Sequence, residues 1–122
     1  MEKTFNYSFG KAYCYKNYIF FEANAEIEIS CEDAQRLLND IYKHYKGRKF
    51  IYISHRKVRY VVNLESYRYV DNNQMLGIAI VSKTMDPEKD LLKEQALFEG
   101  PFAFFKNLEE AISWVETFEF DY

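Results

Sequence analysis

Ser54, His55 and Arg56 bring a hydroxyl, an imidazole and a guanidinium into three consecutive positions near the middle of the chain. A guanidinium forks onto a carboxylate or phosphate, a hydroxyl donates to the same oxygens, and an imidazole changes charge near neutral pH. Arg59, Tyr60 and Tyr67 follow closely enough to add a second cation and two aromatic walls. The group suits a small anion or a nucleotide-like ligand. The plainer and stronger alternative is structural: Arg56 pairs with an acid of the last two helices, and the tyrosines pack.

Other chemistry finds less support. His44 is expected on the exposed face of a helix, and His55 has no neighbouring Cys or acid to complete a triad or a metal constellation. Glu109-Glu110 and Glu88 with Asp90 read as helix N-terminal charges, and the four glycines form no spaced phosphate loop. Cys14 and Cys31 lack a Cys-x-x-Cys spacing, so reduced structural thiols are expected, with neither a disulfide nor zinc. Cys31 falls in the first turn of a helix, where a thiol can be acidified, but one such placement is weak ground for redox chemistry. The expectation is a chain that is not an enzyme and carries no cofactor or metal.

The elements that must position these residues are organised around Met75–Lys83, whose core Leu76–Val81 is an uninterrupted apolar run. It is too short for an ordinary helix and lacks the alternation of a half-solvated strand, so it reads as a central strand covered on both faces by the helices that follow, 86–98 and 107–118. Before it, Thr4–Tyr15 and Tyr18–Ala23 read as a hairpin turning at Lys16-Asn17, with a bulge or bend around Gly10. Phe5, Tyr7 and Phe9 share one face, and Tyr13 and Tyr15 share another. Residues 24–29 connect to the first helix, which Ser30 caps and which Ala34, Leu37, Leu38, Ile41, Tyr42 and Tyr45 stripe, with Gly47 as its left-handed stop. Residues 48–54 form a strand. His55–Asn73 reads as mostly loop, with a short helix at Leu64–Tyr69, and such loops often concentrate function. Asp86-Pro87 opens the next helix, Phe102–Lys106 is a strand, and Asn107 caps the last helix.

The expected fold is therefore α/β: a single mixed, mostly parallel sheet of about five strands, with an N-terminal β-hairpin and helices packed against it, one domain over residues 1–122. The N-terminal residues lack a signal-peptide layout and no apolar run approaches the roughly 20 residues of a membrane span, so a cytoplasmic protein without a membrane partner is expected. Net charge is −3, yet Ile41–Leu64 holds seven Lys/Arg and both histidines without an acid, while 86–122 holds ten acids. The two islands read as solvated faces of opposite sign that attract within the monomer or across a dimer. Basic residues interleaved with Tyr42, Tyr45, Phe50, Tyr52 and Tyr60 superficially suit nucleic acid. The stripe, however, puts Tyr42 and Tyr45 in the core, and a pI of about 5.4 argues against it. Exposed aromatics on the hairpin make a homodimer plausible.

The helix entry Ile29-Ser30-Cys31-Glu32-Asp33-Ala34, the strand Gly77-Ile78-Ala79-Ile80-Val81, and the ending Pro101–Phe105 with Leu108–Val115 together resemble the SpoIIAA-like branch of the STAS fold (sulfate transporter and anti-sigma-factor antagonist domains). The resemblance covers roughly Tyr13 to Phe118 and implies a non-catalytic regulatory module that binds a protein partner. In the anti-sigma-factor antagonists a Ser within an Asp-x-Ser motif is phosphorylated after the third strand. Here Tyr52 stands at the Asp position if Ser54 is that Ser, and Arg56 stands at the Ser position if Ser54 takes the place of the Asp.

Overall fold

Among residues 1–58 and 61–120, which the computed structural model describes, eight strands and four α-helices follow one another. They are β1 (Lys3–Asn6), β2 (Gly10–Cys14), β3 (Tyr18–Ala23), β4 (Glu28–Ile29), α1 (Cys31–Tyr45), β5 (Phe50–His55), β6 (Val61–Val62), a 3-10 helix (Leu64–Tyr69), β7 (Met75–Val81), α2 (Pro87–Asp90), α3 (Leu92–Leu97), β8 (Phe102–Phe105) and α4 (Leu108–Val115). The main sheet runs β1-β2-β3-β5-β7-β8, antiparallel from β1 to β3 and parallel from β3 to β8. That is one strand more than expected. Thr4–Tyr15 is not one strand but two, folded at a tight turn in which the Tyr7 N–H donates to the Gly10 carbonyl at 2.8 Å.

α1 forms where the caps and stripe place it. Ser30 Oγ accepts from the Asp33 N–H, and Ala34, Leu37, Leu38, Ile41 and Tyr45 are buried. Its left-handed end begins at Lys46 (φ 49°) and continues through Gly47 (φ 84°). The Tyr45 hydroxyl lies 2.6 and 2.8 Å from the carbonyls of Tyr15 and Tyr18, which pins the helix end to the β2–β3 turn.

β7 is buried as its composition demands. Met75, Ile78 and Ile80 lie in one apolar layer with α1, and Ala79 and Val81 lie in the other with Ala111 and Val115 of α4. The covering helices differ from the expectation, since one face belongs to α1 rather than to the helix that follows β7. That following helix, expected as a single element over 86–98, is broken at Leu91 (φ −118°) into α2 and α3. Leu91 turns its own side chain into the α1 layer together with Phe98. The segments read as plain connections, 24–29 and the start of the crossover, also pair: β4 and β6 make a small parallel sheet.

Strand β2 approaches β3 most closely at Gly10. A Cβ there would collide with Phe21 Cζ and sit 2.6 Å from the Glu22 carbonyl, so the bend read at this position is a requirement for absent side-chain volume. Gly10→Ala is expected to lower unfolding free energy by about 2 kcal/mol or more, as overpacking does. Urea denaturation measures this, and an unchanged midpoint would contradict so close an approach.

Candidate functional site

The pleat decides which side chains can meet. Phe21, Ser54, Ile80 and Phe104 form one cross-strand row, while His55, Val81 and Phe105 form the next, pointing to the opposite face. Ser54 and Arg56 therefore face the α1 side, and His55 faces the α4 side. The consecutive trio is split into two environments.

On the α1 side lies a cavity of about 70 Å³, bounded by Ala34, Leu37 and Leu38 above and by Tyr52, Ile78 and Ile80 below. Ile29 and Val62 of the small sheet, with Ser66, Tyr67 and Val70 of the crossover, close its side. Its lining is apolar except at one end. There Arg56, 4% exposed, forks onto Glu94 of α3: Nη1 donates to Oε2 at 3.0 Å and Nη2 to Oε1 at 2.7 Å. Arg56 Nε donates to Ser54 Oγ at 3.0 Å, and the Tyr67 hydroxyl donates to Glu94 Oε1 at 2.9 Å. Burial, reinforced by the Glu94 carboxylate, pushes the Tyr67 phenol far above its ordinary range, so it stays a donor.

Ser54, Arg56 and Tyr67 are thus brought together, with Tyr67 walling the pocket. Arg59 and Tyr60 lie outside the described residues. Arg56 meets an acid of the element before β8, as its structural reading requires. Glu94 was not singled out, although its signal is present: it falls between Leu91 and Phe98 at helical spacing, a carboxylate on an apolar stripe.

His55 packs against Phe20, and its Nδ1 lies 2.7 Å from Glu22 Oε2. Burial draws its imidazole below the ordinary range, outweighing the opposite pull of Glu22. It borders an open crevice of about 540 Å³ at the tips of β5, β7 and β8, along with Lys57, Lys83, Lys106 and Glu109. This is the place where a strand-end ligand was expected, but Arg56 has turned its guanidinium to Glu94 instead. Lys57 reaches Glu22 at 3.3 Å, and the buried Ser82 Oγ accepts from the N–H groups of Thr84 and Met85.

The remaining candidates are structural. His44 is not out in solvent: its Nε2 lies 3.0 Å from Glu2, with its ring edge-on to Tyr45, and Arg48 reaches the same carboxylate at 2.8 Å. From the basic island His44 and Arg48 thus meet Glu2, His55 and Lys57 meet Glu22, and Arg56 reaches into the acidic half at Glu94. Both cysteines are free thiols, and burial pushes that of Cys14 up to about 11. Among the described residues no three His, Cys, Asp or Glu side chains gather as metal ligands, and no helix is long and apolar enough to cross a membrane.

Comparison with solved structures finds an uncharacterised protein of the DUF3478 family from Shewanella loihica PV-4, described as having a SpoIIAA-like fold. The two are 14% identical over 87% of this chain and 91% of that one, with a TM-score of 0.59. The fold is SpoIIAA-like, in agreement with the resemblance carried by the sequence. No protein-family model matches the chain, and no curated protein does.

A buried pair is costly to break from one side and cheap to replace whole. Arg56→Met and Glu94→Leu are each expected to cost about 3–5 kcal/mol, and the double replacement Arg56→Met with Glu94→Leu much less than their sum. Urea denaturation of the four proteins measures the coupling, and additive losses would refute it.

Proposed function

We propose that this SpoIIAA-like chain is a non-catalytic regulatory module whose binding centre is the cavity under α1. The observation that carries the reading is the character of that cavity: apolar walls with a single polar end. The groups that chemistry would call on are tied to one another, Arg56 to Glu94 and Ser54, Tyr67 to Glu94. Such a site recognises shape and apolar surface. The walls come from α1, the crossover and α3, so occupancy can alter the surface shown to a protein partner. A reducing compartment, the cytoplasm, suits two free thiols.

1-Hexanol is a suitable probe, and amide shift mapping should place it at Leu38, Ile78 and Tyr67. Ala34→Leu, which fills the cavity from the helix side, should weaken it about tenfold, or ~1.4 kcal/mol. Shifts elsewhere, or equal affinity in both proteins, would remove the cavity from consideration.

A second surface favours self-association. On the α4 side of the antiparallel strands, Tyr13 stacks on Phe20 at 4.6 Å and Tyr15 on Tyr18 at 4.7 Å, all half-buried, while α4 packs over β5, β7 and β8. Lys11 stands over the Tyr13 ring at 5.3 Å and edges the patch with a cation, while the aromatic rows offer an apolar surface that a second copy related by a two-fold axis can cover. Light scattering should give a dimer for the wild type and a monomer for Tyr13→Glu with Phe20→Glu. A monomeric wild type at high micromolar concentration would end this reading.

A further inference from the structure

α3 is built inside out. Of its six residues the buried one is Glu94, at 6% exposure, while Leu92 is 59% and Leu97 is 47% exposed. α2 before it buries nothing. Leu91 and Phe98, just outside the ends of α3, are its apolar anchors, so between them the helix is held to the domain by a carboxylate inserted into a fork of donors. The groups behind this contact sit on firmer ground, Arg56 and Tyr67 donating to Glu94 and Ser54 accepting from Arg56 Nε. Ser54 belongs to β5 in the middle of the sheet, Arg56 is tied to β7 through its N–H on the Val81 carbonyl at 2.8 Å, and Tyr67 stands in the 3-10 helix packed on α1.

We infer that Arg56 and Tyr67, with Ser54 holding Arg56 in place, form a receptor for the carboxylate of a short aliphatic acid whose alkyl chain fills the cavity, and that Glu94 occupies this receptor until such a ligand displaces it. The inference rests on the reading of the cavity as a binding centre and adds the ligand's class. The chemistry is an exchange of like for like. One carboxylate leaves the guanidinium and another takes both of its N–H groups and the phenol's O–H, so no charge is left buried and unpaired. Room for roughly five water-sized positions in about 70 Å³ suits a tail of four to six carbons. The displaced Glu94 moves out with α3, whose leucines already face solvent, and that movement is the signal a partner would read.

Hexanoate and 1-hexanol, matched in chain length, separate the two levels of the argument. Both are titrated by amide shift mapping into the wild type, Glu94→Gln, and Glu94→Gln with Arg56→Met. Hexanol should still map to the cavity in all three, since the apolar walls from α1, β5 and β7 are kept. Hexanoate should bind Glu94→Gln at least about tenfold tighter than wild type, and lose that gain when Arg56 is also replaced. Hexanol binding without a hexanoate gain in Glu94→Gln overturns the inference while sparing the cavity; failure of both ligands to bind any variant overturns both. Hexanoate binding that survives loss of Arg56 assigns it to surface lysines and overturns the inference as well. Should Glu94→Gln unfold, hexanoate must restore its folded spectrum where hexanol and acetate do not, and failure to do so counts against the proposal.

Discussion

A guanidinium buried at the end of a central strand cannot stand alone. Removing it from water costs several kcal/mol, and only a well-aligned carboxylate with further hydrogen bonds offsets that. Arg56 meets this demand with both oxygens of Glu94, and the rest of this side of the molecule follows. Glu94 must lie over the strand tips, so the segment after β7 cannot run as one amphipathic helix with its leucines inward. It breaks at Leu91, dips that side chain into the α1 layer, and then presents a glutamate. Tyr67 must reach the same carboxylate, which draws the crossover toward α3 and closes the cavity from the side.

The order of the parallel strands shapes what the domain can bind. β3, β5, β7 and β8 succeed one another without reversal, so among the described residues the sheet has no switch point at which neighbouring crossovers part to opposite faces. α1, the 3-10 helix and the Leu91–Phe98 segment instead gather on a single face, and their imperfect fit to one another makes the cavity. α4 alone crosses the other face. It is matched there by Gly77, where a Cβ would stand 3.2 Å from Ile51, Trp114 and Phe118, so the helix rings settle close to the strand.

What was legible in the sequence tracks how locally each feature is decided. α1 could be read because its cap, stripe and terminating glycine lie together between Ser30 and Gly47, and β7 because two-sided burial leaves an unbroken apolar run. The short helix at Leu64–Tyr69 was found in place, as a 3-10 turn capped by Asn63. The β1–β2 fold was missed because the turn residues Ser8 and Gly10 alternate with Tyr7 and Phe9, so the stretch keeps the aromatic pattern of one continuous strand; Tyr7 and Phe9 stack at 4.8 Å across the turn. β4 and β6 went unread because strands of two residues carry no period. The split of Ser54 and Arg56 from His55 follows from strand alternation alone. The identity of Arg56's partner did not, since it depends on where a helix nearly forty residues later comes to rest.

The cavity itself is the last point that packing does not explain. Its apolar lining leaves space of about 70 Å³ that side chains do not fill. Filling it would need no change of fold: Ala34 stands on α1 among Leu37 and Leu38, in a helix where a longer aliphatic side chain is fully compatible. The same region holds the other departure from ordinary packing, a glutamate where α3 has leucines to offer. Two local rules broken at one place are the packing feature on which the proposed binding centre rests.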